Sequence, residues 1–231
     1  GTPANPPTKV MVEGPFMVLI YGKNGVAQFQ GDPAMVRPSL PTPALPLSIL
    51  TDVSNVVDGL LINTTIPGMA LTIIKTNSAG TYSYSVYTLT YNASATPQYV
   101  GTAFTSLWST TTNYDSMQAT WIDGWGLVLA VSAQMNFVSN NIKLIGIAYN
   151  SSTNTFTLGN TAFVVFSPSR ELGTFQVVSY RDSTTTPVTL RATVIGRYKN
   201  FPGFTVAHWD MKAASINLVA SNAILKVSDT E

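Results

Sequence analysis

At 231 residues and 45 % hydrophobic content, the chain is long enough to bury a large core in one all-β domain or in two smaller ones. Charged residues make up only 10 % of it, against roughly 25 % in an average soluble protein. With 12 Lys+Arg, 11 Asp+Glu, a net charge of +1 and no cysteine, the chain lacks the basic stripe that dominates nucleic-acid binding. It also lacks any basis for a disulfide framework, a thiolate metal site or a cysteine nucleophile.

Taken from the N-terminus, residues 1 to 8 (Gly-Thr-Pro-Ala-Asn-Pro-Pro-Thr) read as an extended polyproline-like arm that cannot join a sheet interior. Val10, Val12, Gly14, Phe16, Val18 and Ile20 then fall at alternate positions. They predict one long strand too apolar for a solvent edge. Lys23-Asn24-Gly25 supplies a hairpin turn, because Asn-Gly tolerates positive φ at both central positions.

A Pro-rich stretch from Pro38 to Pro46 sets this hairpin apart from the downstream strands. The expected organisation is therefore an arm and N-terminal hairpin over 1–37, a linker over 38–52, and a β-rich body of about three hairpin repeats over 53–231.

Downstream, strands are predicted at Val56–Asn63, Met69–Thr76, Tyr82–Tyr91, Gln98–Thr105, Gln118–Ile122, Leu127–Gln134 and Ile142–Tyr149. They continue at Thr155–Leu158, Ala162–Phe166, Phe175–Tyr180, Val188–Tyr198, Phe204–Trp209, Ile216–Val219 and Ala223–Val227. Turn signals such as Ser78-Ala79-Gly80 and Asp123-Gly124 separate them, and no window carries helical periodicity.

One hairpin is written repeatedly. Met17 to Tyr21 with Gly31, Ala34 and Ser39 matches Ile145 to Tyr149 with Gly159, Ala162 and Ser167 at a constant offset of 128 (145 − 17). Tyr87 to Tyr91, Asn92, Ser94, Gly101 and Ser109 form a third copy, offset by 58 (149 − 91), and Val206 to Trp209 begin a weaker fourth. Such repetition implies one supersecondary unit used several times. The fold predicted is all-β, an antiparallel β-sandwich of pilin or Ig-like kind built from repeated hairpins, with a small β-propeller as the alternative.

The polar surface falls to Ser, Thr and Asn, as in Thr110-Thr111-Thr112-Asn113 and Asn150-Ser151-Ser152-Thr153-Asn154, which keep their hydration when carboxylates are protonated. Three Asn-X-Ser/Thr acceptors begin at Asn63, Asn92 and Asn150, each at an expected turn where a glycan fits. The longest apolar run, Phe16 to Tyr21, is far short of the roughly 20 residues of a membrane-spanning helix. No basic and apolar leader precedes Gly1. Together with the sequons, this favours an extracellular, cell-surface chain whose signal has been removed.

Catalytic chemistry finds little support. His208 is the sole histidine, and its neighbour Asp210 lies two residues away on a strand, where no nucleophile, base and orienter converge. One histidine excludes a multi-histidine metal site, and no calcium loop or phosphate cradle is written; neither a metal nor a cofactor is expected. Asp58, Asp123 and Asp182 could supply paired acids for glycoside hydrolysis, but Asp58-Gly59, Asp123-Gly124 and Asp182-Ser183 read as turns. Trp108, Trp121, Trp125 and Trp209, with Tyr82, Tyr84, Tyr87, Tyr91 and Tyr99, suit cross-strand packing better than a sugar-stacking platform.

The Pro-rich arm, the alternating strand through Val10, Val12, Phe16, Val18 and Ile20, and the sequons resemble the donor-strand pilins, in particular the archaeal thread filaments. The sixty-residue repeat is not part of that pattern. The resemblance implies a secreted, N-glycosylated structural subunit that polymerises head to tail with copies of itself. Those five residues would be the strand donated to a neighbour. Two other expectations remain open: a propeller-like adhesin or lectin binding glycans through Tyr and Trp, and a virion coat or spike protein.

Overall fold

The computed structural model describes residues 9–14, 16–21, 26–30, 55–92, 94, 99–103, 107–133, 141–165, 172–184, 186, 189–198, 204–212, 215–218 and 223–225. Among these residues the secondary structure is all strand, with no helix, and the strands form several antiparallel sheets, none closed into a barrel. The chain divides into two compact units, Gly1–Thr112 and Asn113–Glu231, each of which stacks two sheets.

In the first unit, β1 (Lys9–Glu13), β2 (Phe16–Tyr21) and β3 (Val26–Gln30) form a three-stranded antiparallel sheet in that order. The single strand expected through Val10 to Ile20 is a hairpin instead. Gly14 takes φ +53, a left-handed conformation that costs glycine nothing, and turns the chain so that Lys9 pairs with Ile20 and Glu13 with Phe16. The Lys23-Asn24-Gly25 turn lies outside the described residues, although Tyr21 and Val26 on either side are paired.

The second sheet of this unit holds β4 (Val56–Asn63), β5 (Met69–Ser78), β6 (Thr81–Tyr91) and β7 (Tyr99–Ala103) in sequential order. Ala79 and Gly80 both have positive φ, as the tight turn joining Ser78 to Thr81 requires. A short strand with no signal in the residue pattern, β8 (Trp108–Thr110), lies along Tyr82 to Tyr84 of β6, while β7 lies along Tyr87 to Tyr91. The outer strand of this sheet is therefore laid down in two pieces.

Phe16, Val18 and Ile20 on one face of β2 pack with Val56, Ala70, Ile74, Tyr87 and Leu89. Each of the larger side chains buried there contributes on the order of 1.5–3 kcal/mol.

The second unit repeats the design. β9 (Ser116–Ile122), β10 (Gly126–Ser132), β11 (Asn141–Asn150) and β12 (Thr155–Val165) form one meander. β13 (Leu172–Asp182), β14 (Thr189–Tyr198), β15 (Phe204–Lys212) and β16 (Ser215–Leu218) form the other, with β17 (Ala223–Leu225) also on β15. Val128, Ala130, Ile142 and Leu144 of the first pack against Phe175, Val177, Ala192 and Val194 of the second. Every residue of β10 is buried, which is why it reads as an unbroken apolar run rather than an alternating one.

The two strands expected over 155–166 are one strand. A bulge opposite Gly146 absorbs the extra residue, with Ile145 pairing Thr161 and Ile147 pairing Leu158.

The repeat is visible as topology. β2–β3, β6–β7, β11–β12 and β15–β16 are all hairpins, with Tyr21 and Tyr91 closing their strands and Tyr149 one residue from the end of its own. Beyond the bulge, the pairing of Ile145 with Thr161 reproduces that of Tyr87 with Ala103 at the offset of 58. Of the repeated glycines, Gly101 lies within β7, Gly159 lies at the bulge of β12, and Gly31 lies outside the described residues.

Candidate functional surfaces

The N-terminal sheet separates the residues of the expected donor strand into two sets. Phe16, Val18 and Ile20 are buried within their own unit. Val10 and Val12, on β1, remain 53 % and 52 % exposed. Alternation explains the split. Lys9, Met11 and Glu13 lean toward β4 and β5, while Val10 and Val12 stand on the opposite face, across from Leu19 and Met17.

Lys9 fastens this sheet to the next one. Its Nζ donates to Asp58 Oδ1 at 2.7 Å and to the Gly59 carbonyl at 2.7 Å, and Asp58 Oδ1 also accepts from the Gly59 N–H at 2.8 Å. Asp58-Gly59 is not the turn expected from sequence, because it lies inside β4 at a register shift. Close approach favours glycine there: a Cβ on residue 59 would come within 2.9 Å of Ile20 Cδ1 and 3.2 Å of the Ile73 carbonyl, so its neighbours would have to shift. Asp123 does occupy a turn, with Gly124 at φ +72, and Asp182 ends β13. Asp58 is thus spent on Lys9.

The three sequon asparagines are exposed and stand at strand ends. Asn63 is the last residue of β4; the following Thr64 is buried and donates its hydroxyl to the Met69 carbonyl at 2.8 Å. Asn92 directly follows β6, and its Oδ1 accepts from the Ser94 N–H at 3.0 Å. Asn150 ends β11 and repeats that turn, accepting from the Ser152 N–H at 3.0 Å and from Thr153 N–H at 3.4 Å. In both turns the amide oxygen is committed to the backbone, and the nitrogen is the atom to which a glycan would be joined.

Several of the described aromatic residues are packed within their units. Tyr84 is buried and stacks on Trp108 with centroids 4.6 Å apart, and Tyr87 and Trp125 lie in the two cores. A partly exposed group remains at one end of the β9–β12 sheet. There Tyr149 meets Trp121 at 5.6 Å and Phe156 at 4.9 Å, and its hydroxyl donates to Asn154 Oδ1 at 3.0 Å.

His208 stands opposite Thr193 and Asp210 opposite Arg191, on a strand whose side chains lie outside the described set. Sequence reasoning passed over Lys75. It is only 2 % exposed, with its ammonium 4.8 Å from the Tyr82 ring centre. The available signal was a lone cation in the apolar strand Met69 to Thr76.

Among the described residues there is no group of three His, Asp or Glu side chains able to hold a metal ion, and no helix long and apolar enough to cross a membrane. Comparison of the chain with protein-family models, with curated proteins and with solved structures finds no match.

Proposed function

We propose that the protein is a structural subunit of an extracellular, cell-surface filament, N-glycosylated at Asn63, Asn92 and Asn150, and that it polymerises with copies of itself through its N-terminal sheet. The observation that carries this reading is the way that sheet is attached. Phe16, Val18 and Ile20 present a continuous apolar face to Val56, Ala70 and Ile74, and residues 31–54, with their Pro-rich stretch, link the two sheets.

Handing that face to a neighbouring subunit exchanges one set of contacts for an identical set. Polymerisation by donation then costs little beyond the ordering of the link. The low charge content and the repeated Asn turns support an exterior surface dominated by uncharged polar groups.

Electron microscopy of native material tests the reading. Fibres that vanish when residues 1–21 are deleted are expected; discrete particles in the intact protein would overturn it. The native mass should exceed 24.7 kDa by several sugars at each occupied site. A native mass equal to the bare chain would remove the glycoprotein part of the reading.

A further inference from the structure

The N-terminal sheet has three strands, whereas each of the other sheets runs through a meander of four. The hairpin repeat aligns β2 with the third strands β6, β11 and β15. The sheet therefore holds counterparts of the second, third and fourth strands, and among the described residues none takes the place of a first strand beside β1. Among the described residues β1 pairs with β2 alone. It carries two of the most exposed large apolar side chains described, Val10 and Val12. An exposed apolar edge of this kind is a template for another strand.

We propose that β1 is the interface of a two-fold dimer, in which it pairs antiparallel with β1 of a second copy about Met11. The sequence Lys9-Val10-Met11-Val12-Glu13 is self-complementary in that register. Lys9 of each copy stands opposite Glu13 of the other, Val10 opposite the other copy's Val12, and Met11 opposite its own counterpart. Opposite charges and β-branched residues are thus matched across the strands on both sides of the axis, where a one-residue slip would mismatch them all.

Lys9 already gives two of its three ammonium protons to Asp58 and Gly59. The third is available for the carboxylate across the axis, and the side chain is held in place to offer it. The four valines would form one strip continuous with Met17 and Leu19, which lie on the same face. The result is a six-stranded sheet with an isologous joint.

This pairing does not rest on the filament reading. It uses the outer edge of β1, whereas donation uses the buried face of β2.

Because the chain has no cysteine, disulfide trapping gives an unambiguous readout. Val10→Cys and Val12→Cys, both at exposed positions, are made in the full chain with one of them tagged, and are oxidised alone and mixed. The register predicts a disulfide-linked dimer enriched at least about tenfold in the mixture, since residues 10 and 12 face each other. Like positions stand too far apart along the strands for the roughly 7 Å limit on bridged Cα atoms. Sedimentation velocity of the soluble fraction of the unmodified protein, beside any fibres, should show a dimer as its smallest species. Glu13→Lys, which sets a second ammonium against Lys9 across the axis, should raise its dissociation constant at least about tenfold. A protein that stays monomeric at all accessible concentrations overturns the proposal, as does cross-linking equal in the mixed and separate samples. A dimer indifferent to Glu13→Lys overturns it as well.

Discussion

The N-terminal sheet and the β9–β12 sheet are built from the same hairpin and end in opposite states. In the β9–β12 sheet, β10 has a strand on each side and both faces covered, so Leu127, Val128, Leu129, Ala130 and Val131 are all buried. In the N-terminal sheet, β1 has one neighbour among the described residues, and its alternate positions Val10 and Val12 are half exposed. Each strand carries two valines, but those of β1 alternate onto one open face whereas β10 is covered on both faces. The same apolar residue type is core where both faces of its strand are covered and half exposed where one face is open.

The largest expected effect comes from placing a carboxylate in each. Val128→Asp leaves an unpaired charge among Ile142, Leu144, Val177 and Val194, and should destabilise the second unit by at least about 3–5 kcal/mol. Val12→Asp, compared at concentrations where the protein is monomeric, should change the stability of the first unit by no more than about 0.5 kcal/mol. Chemical denaturation followed by tryptophan fluorescence measures both. Comparable losses from the two changes would erase the distinction between core and surface.

Next in size is Gly126→Ala. Gly126 has φ +145, and a Cβ there would sit inside the contact distance of the Ile147 carbonyl, with Tyr149 N 2.8 Å away. β10 and β11 must separate to admit it, at a cost of roughly 1–3 kcal/mol for the backbone strain and more for the lost ladder. Gly14→Ala is the matched control in the N-terminal sheet. Gly14 also has positive φ, but nothing lies within 4 Å of the added carbon, so only the conformational penalty of about 1 kcal/mol remains. Urea midpoints of the two variants compare crowding with conformation directly.

A smaller effect is expected at the fastening between the two sheets of the first unit. Lys9→Met removes a salt bridge whose side chains are 39 % and 28 % exposed, and should cost no more than about 1 kcal/mol because solvent screens it. Its sharper signature is local. Amide exchange should accelerate across β1 and leave β5 unchanged, since the Lys9 bonds to Asp58 and Gly59 tie β1 to β4. Unchanged exchange in β1 would mean that packing of Met11 alone holds the strand.

Most of this architecture is legible in the residues. Period-two alternation and Asn-, Asp- and Gly-containing turns marked nearly every strand, and the repeated tyrosines marked the third-strand hairpins. The errors have identifiable causes. Val10 to Ile20 alternates straight through Gly14, so pattern alone could not register that one glycine at positive φ folds the run back on itself. The Gly146 bulge splits the pattern of β12 into two apparent strands although the ladder continues on either side. Asp58-Gly59 has turn chemistry, but the glycine answers to the Ile20 side chain lying over it, a contact between distant segments that local sequence does not encode. For the same reason the exposed face of β1 was illegible: which of its alternate residues are covered depends on the sheet packed against them, not on the strand's own residues.

The smallest predicted effect is a pH dependence arising in the first unit. Burial raises the pKa of Tyr87 above its ordinary value, and a side-chain hydrogen bond with Ser85 opposes that shift in part. The neutral phenol is therefore favoured in the folded state. Between the unfolded and folded pKa values the native protein holds more protons than the unfolded chain, so stability falls as pH rises through that window. The contribution is intact below pH of about 10, the ordinary tyrosine value, and is lost progressively above it. Tyr87→Phe removes the titrating group while keeping the ring among Val18, Val56 and Leu89, so unfolding midpoints of the variant should decline less steeply above that pH. A decline as steep in the variant as in the parent would remove Tyr87 from the alkaline sensitivity of the packed face that β2 shares with β5 and β6.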